Sequence, residues 1–90
     1  SKTEFGKYTG TYGASFGGET AVLLWQGGLA MVSFPTDDPL ASLTKLEHVE
    51  GDTFRRIRPD EELGEAVSFE VVDGKVVRLW RNNNFMERVR

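Results

Sequence analysis

No cysteine occurs among the 90 residues, so neither a disulfide nor a thiolate zinc site can staple this chain, and the redox compartment is left open. Histidine is almost as scarce. His48 stands alone among scattered carboxylates, whereas a metal site needs three or four ligands. It reads as a half-buried, hydrogen-bonded strand residue, and neither metal nor other cofactor is expected. Asp37-Asp38 and Asp60-Glu61-Glu62 lack the ligand spacing of a calcium loop and read as solvated acids. Long apolar runs are missing too. The longest, Ala21-Val22-Leu23-Leu24-Trp25, is far short of a membrane span, so no membrane partner is expected. Basic charge is not in excess: a formal net charge of −3 argues against a nucleic-acid partner. Ser1-Lys2-Thr3-Glu4 carries no basic and apolar leader that would direct export, and its abrupt start reads as that of a fragment. Localisation stays open. Repeats, low-complexity segments and linkers are absent, so residues 1–90 read as one domain.

What is present is organised around Asp73-Gly74, the residue pair favoured where both centres of a two-residue hairpin turn need φ > 0. On that turn Val71 faces Val76, Phe69 faces Arg78 and Val67 faces Trp80. One face then reads Val67, Phe69, Val71, Val76 and Trp80, broken only by Arg78, which a bulge between Val77 and Leu79 would turn outward. The remaining strands are expected at Phe5 to Tyr12, Glu19 to Gln26, Leu29 to Phe34 after a Gly27-Gly28 turn, Phe54 to Arg58, and Phe85 to Val89 after the Asn82-Asn83-Asn84 turn. Pro35 to Pro39 and Asp60 to Gly64 read as loops.

Leu40 to Val49 supports two readings. Asp38 suits a helix N-cap, Pro39 the first helical residue and Gly51 the residue past the end, with Leu40, Leu43, Leu46 and Val49 at every third position. A strand turning at Gly51-Asp52 instead sets Glu47 opposite Arg56 and Leu46 opposite Ile57, which is sensible pair chemistry. If the segment is extended, eight short antiparallel strands result, and such a meander forms either a sandwich or a closed barrel.

Tyr8-x-Gly10-Thr11-Tyr12, then Leu46-x-His48-x-x-x-Asp52-Thr53-Phe54, then Phe69-Glu70 with Gly74-Lys75-Val76 and Leu79, and finally Phe85-Met86-x-Arg88-Val89, form an ordered set. In this order and spacing the chain resembles the C-terminal domain appended to serine hydrolases of the class C β-lactamase and penicillin-binding-protein type. The resemblance runs over nearly the whole chain. It implies a small eight-stranded, lipocalin-like antiparallel barrel and tips the Leu40–Val49 segment toward strand. It also implies a partner, the upstream serine hydrolase domain of the same polypeptide, whose active-site entrance the barrel shapes or shields without supplying a catalytic residue. Val49 departs from the pattern, since many relatives carry an aromatic there.

Two strings imitate catalytic signatures. Gly13-Ala14-Ser15-Phe16-Gly17 fits a nucleophile elbow, but a strand rather than a helix is expected after it. Ser42-x-x-Lys45 fits the β-lactamase Ser-x-x-Lys, yet the other elements of that cleft are missing and on a strand the two side chains point apart. The chain is therefore expected to be no enzyme by itself. The arginines between Arg55 and Arg90 are flanked by Glu47, Glu50, Glu65 and Glu70, and such cross-strand pairs cancel the field that a phosphate-backbone binder requires. Trp25 and Trp80 read as wall packing. The sharper alternative is a carrier in which Trp80, Phe54 and Phe69 line an inner pocket for a small apolar ligand, with Arg78 meeting an acid or the ligand's carboxylate.

Overall fold

The computed structural model describes residues 5–13 and 18–90. A 3-10 turn, Gly6–Tyr8, leads into strands β1 (Gly10–Gly13), β2 (Glu19–Trp25), β3 (Gly28–Phe34), β4 (Thr44–Glu50), β5 (Thr53–Ile57), β6 (Leu63–Val72), β7 (Lys75–Arg81) and β8 (Asn84–Arg88). Each strand pairs antiparallel with the next, and β8 returns to β1, closing an eight-stranded all-β barrel. The Leu40–Val49 segment is a strand from Thr44 onward. A helix would have gathered its aliphatic residues on one side, but Leu40 is 70% exposed in the preceding loop while Leu46 is buried.

Local chemistry explains most of the hairpins. Asp73 and Gly74 take φ of 53° and 79°, as the turn requires. The β2–β3 turn falls one residue earlier than its Gly-Gly pair suggests, on Gln26-Gly27, with Trp25 opposite Gly28 and φ of 50° and 87° at the two centres. Phe5 to Tyr8 is not strand. The amide and hydroxyl of Thr9 both donate to the Gly6 carbonyl, at 3.2 and 2.7 Å, and wind the chain into a turn that drops Tyr8 into the barrel end.

Two bulges change the expected registers. Glu50 sits opposite Thr53 as the Gly51-Asp52 turn demands, but Val49 is extra, so Glu47 faces Arg55 and Leu46 faces Arg56. In the β6–β7 hairpin Val71 faces Val76, after which Val77 is extra and Glu70 faces Arg78, Phe69 faces Leu79 and Ser68 faces Trp80. A slip of one residue exchanges the two faces of a strand. Leu79 therefore takes the interior place assigned from sequence to Trp80.

Tyr12, Phe54, Leu29, Leu79 and Val67 fill the middle of the barrel with essentially no exposure. Eight strands enclose a space that side chains of this size just occupy.

Gly18 and Gly27 test this packing. A Cβ on Gly18 would lie 1.7 Å from the Phe34 carbonyl oxygen, whereas one on Gly27 meets nothing within 4 Å and is penalised only by its φ of 87°. Gly27→Ala is expected to cost about 1–2 kcal/mol. Gly18→Ala, which must push β2 from β3, is expected to lower the urea midpoint clearly further; equal midpoints would contradict the close approach.

Candidate functional site

The two ends of the barrel differ in chemistry. At the end carrying the β4–β5 and β6–β7 turns, residues from three distant segments meet. The Tyr8 ring lies 4.5 Å from Phe69 and 5.3 Å from Phe54, and Phe54 and Phe69 meet edge to face at 5.7 Å. Phe5 and His48 extend the cluster, 5.4 Å apart and 5.4 and 5.0 Å from Phe54. Such tilted and edge-on contacts contribute roughly 0.5–1.5 kcal/mol each beyond area burial.

Polar groups tie this cluster to the backbone. Tyr12 donates its hydroxyl proton to the Tyr8 carbonyl at 2.7 Å, inside the barrel. The Tyr8 hydroxyl donates to Asp52 Oδ1, and Lys7 Nζ stands 3.8 Å from the same oxygen and 5.3 Å above the Tyr8 ring. His48 Nε2 lies 2.9 Å from the Gly51 carbonyl, which can only accept, so that nitrogen carries the proton. Phe5, Lys7, Tyr8, His48, Gly51 and Asp52 line a shallow open depression of about 380 Å³. It offers an aromatic wall with one imidazole, one phenol hydroxyl, one carboxylate and one ammonium.

Of the residues assigned from sequence to an inner pocket, the structure brings together only Phe54 and Phe69, which are 0% and 4% exposed within the packed interior. Trp80 and Arg78 lie on the outer wall because of the Val77 bulge. There the Trp80 indole donates to Glu70 Oε1 at 3.0 Å and its ring rests 4.9 Å from Phe85. Arg78 donates to Glu70 Oε2 at 2.9 Å and to Glu87 Oε1 at 3.0 Å. The indole hydrogen bond, then the Arg78 guanidinium, hold the Glu70 carboxyl below its ordinary range. Tyr8, Tyr12, His48 and Asp52 were legible as motif residues, but nothing local indicated that they meet.

The opposite mouth is charged. Arg56 faces buried Leu46 and Arg81 faces buried Val67, so both guanidiniums stand on the inner side of their strands. Glu65 lies between them, accepting from Arg56 Nη1 at 2.7 Å and from Arg81 Nε at 3.0 Å. The Arg56 hydrogen bond, opposed by desolvation and aided by Arg81, lowers the Glu65 pKa.

The Ser42-x-x-Lys45 imitation is not assembled. Ser42 sits in a turn ahead of β4 with its Oγ 2.6 Å from Thr36 Oγ1, while Lys45 lines an outer groove with Glu47 and Arg58. Ser15 lies outside the described residues. Among the described residues, no group of three or more His, Asp or Glu side chains is placed to hold a metal. Comparison of the chain with models of protein families, with curated proteins and with solved structures finds no match in any of the three.

Burial pushes the Tyr12 hydroxyl up from 10.0 to about 12, partly offset by the nearby Arg88 charge. The unfolded chain therefore ionises first, and the contribution of Tyr12 is full below pH 10 and lost as pH rises toward 12. Tyr12→Phe is expected to cost about 1 kcal/mol at pH 7, through its missing hydrogen bond, and to flatten the alkaline limb of a urea-stability profile. An alkaline limb unchanged by the substitution would contradict this assignment.

Proposed function

We propose that this chain is a non-catalytic accessory barrel of a serine hydrolase of the class C β-lactamase and penicillin-binding-protein type, packing beside the catalytic domain and restricting what reaches its active site. The observation that carries the proposal is the convergence of the resembling motifs. Tyr8, Tyr12, His48, Asp52, Phe54 and Phe69 come from three separated segments and form one connected cluster at a barrel end. The residues of those motifs thus meet in one cluster, as expected of a domain whose motifs build a scaffold rather than a catalytic cleft.

The filled interior favours this reading over the carrier. Tyr12, Phe54, Leu29, Leu79 and Val67 occupy the space in which a lipocalin-like carrier would hold its ligand. A rigid closed barrel acts by shape: it narrows an entrance and selects among acyl groups by size, with no proton transfer of its own.

The purified 90-residue chain is expected to leave chromogenic β-lactams and short acyl esters unhydrolysed. Turnover abolished by Ser15→Ala or Ser42→Ala would overturn the proposal. Residues encoded ahead of Ser1 are expected to carry a Ser-x-x-Lys at the start of a helix, and removing the barrel from that protein is expected to widen the range of acyl groups accepted. An unrelated upstream domain would sink the proposal, and saturable tryptophan-fluorescence shifts with fatty acids would favour the carrier.

A further inference from the structure

We infer that the barrel mouth bounded by Arg56 and Arg81 is a binding site for a small oxyanion, a carboxylate or a phosphate. Two guanidiniums converge there on one carboxylate, that of Glu65, and both of its oxygens are already engaged, at 2.7 and 3.0 Å. One positive charge is left over, in a place where the side chains of Arg56, Glu65 and Arg81 are only 30, 24 and 33% exposed. Charge in such partly screened surroundings is felt more strongly than on open surface.

Unused donors accompany the unused charge. Arg56 Nε is buried and has no hydrogen-bond partner. A buried donor left unmade is costly, more so on a charged group, and calls for an acceptor. Arg81 engages Glu65 through Nε alone, and its two terminal nitrogens have no acceptor among the described residues. Other arginines are more fully matched: Arg78 on β7 holds two carboxylates, and Arg58, just past β5, takes both oxygens of Asp60.

The geometry of the unused set selects the ligand. Planar guanidinium forks match carboxylate and phosphate oxygens in pairs, which a halide cannot reproduce. Buried Leu46 and Val67, opposite the two arginines, give the mouth an apolar floor. It therefore accepts a small headgroup and excludes a deeply inserted ligand. This site stands apart from the aromatic end and does not depend on the accessory role proposed above.

Titration of the ¹⁵N-labelled chain with acetate and, separately, inorganic phosphate, at ionic strength held constant with chloride, tests the inference through the arginine Nε–Hε resonances. Saturable shifts are expected at Arg56 and Arg81 but not at Arg58, and the tighter of the two anions identifies the headgroup class. Arg81→Gln is expected to weaken binding about tenfold. Glu65→Gln, which removes the competing negative charge, is expected to tighten it. Should Arg81→Gln fail to fold, Glu65→Gln carries the test in the opposite direction. Shifts that rise linearly with anion and are shared by Arg58 would reduce the effect to screening and overturn the site.

Discussion

A sheet of eight strands keeps two open edges until its first and last strands meet, and here that meeting is brief. Among the described residues only Tyr12 with Arg88 and Gly13 with Glu87 pair along the β1–β8 seam, extended by backbone hydrogen bonds of 2.7 Å between Thr11 and both Val89 and Arg90. Arg88 reinforces it from the side, its guanidinium donating to the Thr9 carbonyl at 2.7 Å and the Val76 carbonyl at 3.2 Å. Gly10 permits the approach, since a Cβ there would sit 2.5 Å from the Arg90 oxygen. Closure removes the unpaired N–H and C=O groups that would otherwise invite edge-to-edge association. It also curls the sheet tightly enough for one layer of rings to fill the centre.

From that closure follows the division of the barrel into two unlike ends. Near the seam, the 3-10 turn folds Tyr8 over Phe54 and Phe69, and burial of aromatic surface supplies stability there. At the far mouth, half-buried ion pairs among Arg56, Glu65 and Arg81 contribute less, because desolvation offsets most of their attraction. Those charges set chemical character rather than hold the fold. The same comparison of magnitudes accounts for the Val77 bulge. An unbulged β7 would turn Arg78 into the apolar centre, at several kcal/mol for an unpaired charge. The bulge sacrifices roughly one ladder hydrogen bond, about 1 kcal/mol, and in exchange buries Leu79 and lets Arg78 meet Glu70 and Glu87.

Much of this architecture was legible before any coordinates. Asp73-Gly74 marks its hairpin because the φ values of that turn are local properties of two residues. Strand count and order follow from alternating segments separated by turn residues, although Leu40–Val49 by its residues alone stood between helix and strand. Less was legible of the candidate site. Phe54 and Phe69 were rightly placed inside, Trp80 was drawn to the wrong wall, and Arg78 was read inward unless a bulge intervened, as one does; nothing local indicated that Arg56 and Arg81 face inward. Phe5 and Tyr8 looked like strand until the Thr9–Gly6 hydrogen bonds made them a cap.

Local residue chemistry by itself determined that most of this chain is short strands joined by hairpin turns, where its strongest turn lies, and that Phe54 and Phe69 are interior. Only the tertiary structure decided which wall each remaining side chain faces, that Tyr8, His48 and Asp52 share one end, and that a lone carboxylate must serve two arginines at the other. The reason is physical. Alternation specifies a strand only up to its register, and a single extra residue exchanges its faces. Whether Val49 and Val77 bulge depends on costs set across the barrel, by what Leu79, Phe54 and Arg78 would meet if they did not.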